Sequence, residues 1–91
     1  KERIFEMKEF SYVITDPEGI HARPAGLLVK EANKFTSSVT IKKGSKTADA
    51  KRIFGVMGLT AKKGETIQII ADGTDESEAI SALEAFVKEN L

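Results

Sequence analysis

The stretch Thr66–Val87, TIQIIADGTDESEAISALEAFV, joins two kinds of hydrophobic periodicity across one short turn. A strand over Thr66–Asp72 is predicted by a period-two pattern whose apolar face carries Ile67, Ile69 and Ala71. A helix is predicted after it, because apolar residues recur at the spacing of one helical face, at Ala79, Ile80, Leu83, Phe86 and Val87. Asp75 followed three residues later by Glu78 resembles a capping box that starts this helix. A strand and a helix with one apolar face each predict a core between a sheet and its helices.

The remaining elements extend this pattern toward the N-terminus. Alternation predicts a first strand from Lys8 to Ile14, and the turn residues Asp16–Gly19 lead into a helix from about Ala22 to Asn33. A hairpin and a short helix interrupted by glycines follow, over Ser38–Lys42, Lys46–Asp49 and Arg52–Leu59. The predicted order is β-α-β-β-α-β-α. We therefore predict an α+β fold in two layers, in which an antiparallel or mixed sheet carries helices on one face and leaves its other face wet.

The composition is that of a single soluble globular domain over residues 1–91. Hydrophobic residues make up 41% and charged residues 31% of the chain, and no apolar run reaches the roughly 18 residues of a membrane span. Fourteen basic and fourteen acidic residues cancel, so we expect no general nucleic-acid binding and no membrane insertion. Because the chain has no cysteine, it has no disulfide framework, and we expect a cytoplasmic location.

The single histidine of the chain, His21, lies in the stretch Gly19–Ala25, GIHARPA. If the first helix starts at Ala22, His21 occupies the N-cap, where backbone N–H groups lack intrahelical partners and the helix dipole is positive. The N–H groups of Ala22 and Arg23, together with the Arg23 guanidinium, suit a phosphoryl group. A neutral imidazole at this point is a nucleophile that could attack phosphorus. The pattern indicates a phosphate site with His21 as a covalent acceptor.

Three other interpretations of His21 compete with this one. The ring could be an ordinary polar side chain in a loop before a helix, which is the common situation of a lone histidine. A small anionic metabolite could bind at the helix N-terminus without covalent chemistry. A metal site is not expected, because one histidine without cysteine neighbours does not complete the usual three or four ligands.

The GIHARPA stretch resembles the active-site signature of HPr, the histidine-containing phosphocarrier of the bacterial phosphoenolpyruvate-dependent sugar phosphotransferase system. The resemblance extends from about Met7 to the end of the chain, including Gly55–Met57, the Lys63–Gly64 turn and the final helix. It implies an open-faced β-sandwich of four strands with three helices on one face. It also implies that His21 accepts a phosphoryl group on Nδ1 from phosphorylated Enzyme I and donates it to a histidine of a sugar-specific enzyme IIA domain, with Arg23 stabilising the phosphoryl oxygens. Such a protein is a stoichiometric carrier rather than an enzyme, it holds no cofactor or metal, and we expect a monomer.

The resemblance also implies a docking surface beside the histidine. Its expected members are Leu27, Lys30, Arg52, Ile53, Phe54 and Met57. Exposed apolar side chains ringed by Arg23, Lys30 and Arg52 suit transient partners with acidic, centrally apolar surfaces. The competing interpretation is that Ile53, Phe54 and Met57 fill the core under the short helix, which applies least to Phe54 because so short a helix buries only one face.

Two departures from the family pattern bear on function. Many HPr proteins of Gram-positive bacteria have a kinase-modified serine where this chain has Arg52, so phosphorylation at that position is excluded. This change leaves open an alternative function, that of an HPr-like regulatory binding module acting outside sugar transport, although His21, Arg23 and Pro24 favour the carrier. The first six residues, Lys1–Glu6, precede the expected family N-terminus; the sequence fits both a native extension that lengthens strand one and a cloning remnant.

Overall fold

Four antiparallel strands form one sheet, and three helices cover one of its faces in the computed structural model, which describes residues 7–91. The elements are β1 (Lys8–Val13), α1 (Ala22–Ala32), β2 (Ser38–Lys43), β3 (Lys46–Asp49), α2 (Ile53–Gly58), β4 (Thr66–Asp72) and α3 (Glu76–Asn90). The predicted order and the predicted open-faced architecture are both confirmed. The proposed lengthening of strand one by Ile4 and Phe5 lies outside the described residues.

The strand that anchors the sheet is β4, which pairs with β1 on one side and with β2 on the other, giving the order β1-β4-β2-β3. Its alternate residues Ile67, Ile69 and Ala71 are fully buried. Ile67 and Ile69 belong to one core cluster with side chains from α1 and α3, including Leu28 and Leu83, which are also fully buried. Removing each such large side chain from water contributes about 1.5–3 kcal/mol, so this layer supplies much of the stability that holds the helices in place.

The start of α3 differs from the capping box that the sequence predicts. Asp75 is at the N-cap position, but its side chain makes no hydrogen bond to the first turn of the helix. The carboxylate instead accepts hydrogen bonds from the backbone N–H groups of Thr36 and Ser37, both at 2.9 Å, and from the Ser37 hydroxyl. The capping-box prediction was therefore wrong. Asp75 ties the start of α3 to the segment between α1 and β2.

No helix within residues 7–91 is long and apolar enough to cross a membrane.

Candidate functional site

A sharply bent loop before α1 fixes the position of His21. Gly19 has a φ of +67°, and a side chain there would collide with the carbonyl oxygen of Ala61. The contact is close because the N–H of Ile20 donates to that same carbonyl at 2.9 Å. The loop thus lies directly against the segment between α2 and β4, and only glycine fits at its tightest point.

His21 is the N-cap of α1, as the sequence predicts, with extended backbone angles of φ −98° and ψ −177°. The carbonyl of His21 accepts the first intrahelical hydrogen bond, from the N–H of Ala25 at 3.0 Å. The N–H groups of Ala22 and Arg23 lie ahead of that bond, at the positive end of the helix. The His21 side chain makes no cap hydrogen bond and is 36% exposed, so the ring is available to a partner.

Two carboxylates near the imidazole were missed by the sequence analysis. Nε2 of His21 lies 3.7 Å from Oε1 of Glu18 and 4.0 Å from Oδ2 of Asp16. Both carboxylates therefore lie on the Nε2 side of the ring. The sequence does place two acidic residues in the turn Asp16–Gly19, just before His21. It does not show that the backbone conformation of this turn brings both carboxylates close to the ring.

A groove of about 310 Å³ opens beside the ring. It is lined by Asp16, His21, Arg23, Pro24, Leu27, Glu89 and Asn90. The C-terminal end of α3 therefore forms one wall, which sequence reasoning did not anticipate. The carbonyl of Leu91 holds this end against the loop, because it accepts hydrogen bonds from the N–H groups of Thr15 and Asp16 at 2.7 and 2.8 Å.

The residues expected to form a docking surface lie on α1, on α2 and at the N-cap of α2, and the two helices pack against each other. Phe54 is 86% exposed and Leu27 is 46% exposed, whereas Ile53 and Met57 are half-buried against the core. A side chain at Gly26 would lie 3.7 Å from Cδ1 of Ile53, which shows how closely α1 approaches α2 at this point. Both interpretations of the segment thus hold for different residues: Ile53 and Met57 partly fill the core, and Phe54 points into solvent.

The cations around these apolar side chains are exposed. Lys30 and Arg23 are on the solvent side of α1. Arg52 precedes α2, is 82% exposed, and lies with Nε 3.9 Å from a carboxylate oxygen of Asp49. A surface ion pair of this kind contributes little to stability, so the guanidinium can exchange partners freely.

The described part of the chain contains no group of three or more histidine, cysteine or acidic side chains placed to hold a metal ion. The site that the structure brings together is therefore a part-exposed imidazole at a helix N-terminus, with an arginine, two carboxylates and a groove beside it.

A fold and a site of this kind define a class of small α+β domains with an exposed histidine at a helix start, and known proteins place the chain within one family. Residues 8–89 match the family model described as the PTS HPr component phosphorylation site. The phosphocarrier protein HPr of Mycoplasma capricolum is 48% identical over 77 residues, which cover 85% of this chain and 86% of that protein. The chain belongs to the HPr family of the phosphotransferase system.

Solved structures agree with this assignment. The histidine-containing phosphocarrier protein of Mycoplasma superposes with a TM-score of 0.88 at 44% identity, covering 90% of this chain and 93% of that one. The catabolite repression protein Crh of Bacillus subtilis, described as a dimer with a swapping domain, gives a TM-score of 0.74 at 45% identity, covering 82% and 86%. Family membership supports a phosphocarrier role and implies partners of the phosphotransferase system.

Proposed function

We propose that this protein accepts a phosphoryl group on His21 from phosphorylated Enzyme I and donates it to a histidine of a sugar-specific enzyme IIA domain. The observation that carries the proposal is the position of the ring, which is part-exposed at the N-cap of an 11-residue helix. In this family the phosphorylated residue is the histidine of the signature that this chain has at Gly19–Ala25. The protein is a stoichiometric carrier, and the chemistry needs no cofactor or metal.

The chemistry of the transfer follows from the groups around the ring. The lone pair of one imidazole nitrogen attacks the phosphorus of the donor phosphohistidine, and the nitrogen–phosphorus bond in the donor breaks as the new one forms. The arriving oxygens carry negative charge, which the guanidinium of Arg23 and the N–H groups of Ala22 and Arg23 stabilise. Donation to enzyme IIA reverses the same steps. The exposed ring suits both transfers because each partner must reach it in turn.

The test is incubation of the purified chain with Enzyme I and phosphoenolpyruvate. We expect one acid-labile phosphoryl group per chain in the wild type and none in His21→Ala, measured by intact mass under alkaline conditions. Arg23→Lys keeps the charge but loses the planar fork, so we expect slower transfer at unchanged stoichiometry. A His21→Ala protein that still takes up one phosphoryl group would falsify the assignment of His21.

We also propose that both partners dock on the surface formed by Leu27, Lys30, Arg52, Ile53, Phe54 and Met57, next to the ring. Exposed apolar side chains surrounded by cations suit acidic surfaces with apolar centres. Successive use of one surface by two partners favours a monomer, and size-exclusion chromatography with light scattering tests this. Because Enzyme I and the enzyme IIA domains are the partners, we place the protein in the cytoplasm.

A second candidate is a regulatory HPr-like module that binds partners without passing phosphate to sugar uptake. The similarity to Crh and the arginine at position 52 favour it, since that surface differs from the family pattern. Adding enzyme IIA domains to that incubation separates the two candidates, because a regulatory module would not transfer phosphate onward to any of them.

A further inference from the structure

The two carboxylates beside His21 face one particular nitrogen of the ring. Both distances, 3.7 Å to Glu18 and 4.0 Å to Asp16, are measured to Nε2. Both are longer than a hydrogen bond and within the range of an ion pair. Hydrogen bonds in catalytic sites are often long before the partner binds, and shorten in the complex.

Hydrogen bonds hold the Asp16 side chain and backbone in place, whereas the Glu18 side chain is largely exposed. One carboxylate oxygen of Asp16, Oδ1, accepts a hydrogen bond from the backbone N–H of Glu18 at 2.8 Å. The backbone N–H of Asp16 donates to Leu91, and its carbonyl accepts from the N–H of Gly19 at 2.9 Å. The other oxygen, Oδ2, is the one that lies 4.0 Å from Nε2 of the ring. The Glu18 side chain is 74% exposed, so it can adjust its distance to Nε2 at little cost.

We propose that Asp16, assisted by Glu18, is a positioning residue that keeps the proton on Nε2 of His21 and so leaves Nδ1 as the phosphoryl acceptor. This inference rests on the phosphocarrier function proposed above. In a neutral imidazole one nitrogen carries the proton and the other the lone pair, and the partner of one nitrogen determines which tautomer is present. Carboxylates accept hydrogen bonds and donate none, so they stabilise the tautomer protonated on Nε2.

The transfer balances without any proton leaving the ring. The Nδ1 lone pair forms the bond to phosphorus, the donor's nitrogen–phosphorus bond breaks, and the Nε2 proton stays where it is. The ring becomes positively charged as it takes up the phosphoryl group. The carboxylates of Asp16 and Glu18 stabilise this charge from the Nε2 side, while Arg23 and the helix N-terminus face the phosphoryl oxygens.

A single histidine makes the tautomer directly measurable. In protein labelled with ¹⁵N histidine, the two ring nitrogen shifts at a pH where the ring is neutral show which nitrogen carries the proton. We expect Nε2–H to dominate in the wild type. In Asp16→Asn, the amide oxygen still accepts from the Glu18 N–H, but the amide NH₂ now faces the ring as a donor. We therefore expect the population of the Nδ1–H tautomer to rise.

Transfer kinetics provide the second readout. We expect kcat for phosphorylation by Enzyme I to fall about tenfold in Asp16→Asn, with KM little changed. A wrong tautomer in a serine protease triad costs roughly 10⁴-fold, and the smaller loss here reflects a part-exposed ring. Glu18→Gln should shift the tautomer and kcat in the same direction by less. Glu9→Gln, which removes one negative charge from β1, is the matched control and should match the wild type in both measurements.

The outcomes separate this inference from the proposed function. If the wild type takes up no phosphoryl group, or His21→Ala takes up one, the carrier function fails. If the wild type takes up one group but its neutral ring is mainly Nδ1–H, the positioning role fails whatever the variants do. The role fails equally if Asp16→Asn folds with unchanged ring shifts and unchanged kcat.

Discussion

Gly19 shows how one residue determines where the imidazole lies. Its positive φ turns the chain just before α1, and its missing side chain lets the loop touch Ala61. Turn chemistry at Asp16–Gly19 was enough to predict that a helix starts at Ala22 and that His21 caps it. The contact of Nε2 with Asp16 and Glu18 was not predictable, because it depends on the curvature of the loop and on its attachment to the end of α3.

A substitution of Gly19 by alanine should destabilise the protein and displace the ring. The left-handed backbone costs about 1–2 kcal/mol for a residue with a side chain, and the forced contact with Ala61 adds about 1–3 kcal/mol. Gly44→Ala is the matched control, since Gly44 has a similar φ of +60° and open space around it. Urea unfolding should show a clearly larger loss for Gly19→Ala, together with slower phosphorylation of His21. Equal losses for the two variants would mean that the Ala61 contact is unimportant.

At the scale of elements, local periodicity predicted most of the architecture. The strands Thr66–Asp72 and Lys46–Asp49 have the predicted bounds, and every other bound that the sequence predicted differs by one residue at most. The start of α3 after Asp75 was predicted correctly, but the capping box was not, because the residues that bind the Asp75 carboxylate are 38 and 39 positions away in the sequence. A capping box is a pattern of near neighbours, so a distant partner that competes for the same carboxylate leaves no local signal.

The role of Asp75 makes a prediction about stability in acid. Hydrogen bonds from Ser37 and Thr36 lower the pKa of Asp75 from 3.8 to about 2. Its contribution to stability is therefore complete above pH 4 and is lost as the pH falls toward 2, because the unfolded chain binds the proton first. Asp75→Asn should be less stable than the wild type at pH 6 but nearly equal to it near pH 2, by urea unfolding at each pH.

The control for that experiment comes from the first turn of the same helix. Glu78→Gln removes an exposed carboxylate that takes no part in the contact with Thr36 and Ser37. The free energy of unfolding of this variant should therefore fall between pH 4 and pH 2 as it does in the wild type. Glu65, whose pKa is lowered mainly by the backbone N–H of Lys62, accounts for some acid dependence that persists in both variants. A constant difference between Asp75→Asn and the wild type from pH 6 to pH 2 would contradict the assigned role.

Although the net charge of the whole molecule is zero, exposed basic and apolar side chains occur together on α1, on α2 and at the N-cap of α2. Lys30 is exposed on α1, Arg52 is exposed at the N-cap of α2, and Phe54 is exposed on α2. Family resemblance predicts the members of the docking surface, and the shortness of α2 already favoured Phe54 as its most exposed apolar residue. Ile53 turns toward α1 at Gly26, and Phe54 consequently faces solvent. Phe54 is thus the apolar side chain best placed to enter a pocket on a partner.

Phe54→Ala therefore separates docking from folding. Because the side chain is 86% exposed, we expect the free energy of unfolding to change by no more than about 0.5 kcal/mol. A buried aromatic anchor is worth about 2 kcal/mol or more in an interface, so KM for Enzyme I should rise at least tenfold while kcat stays near the wild-type value. Val13→Ala removes another exposed apolar side chain, 52% exposed, from the sheet, and should leave KM unchanged. An unchanged KM in Phe54→Ala would show that Enzyme I docks elsewhere, since no other large apolar side chain among residues 7–91 is so fully exposed to a partner.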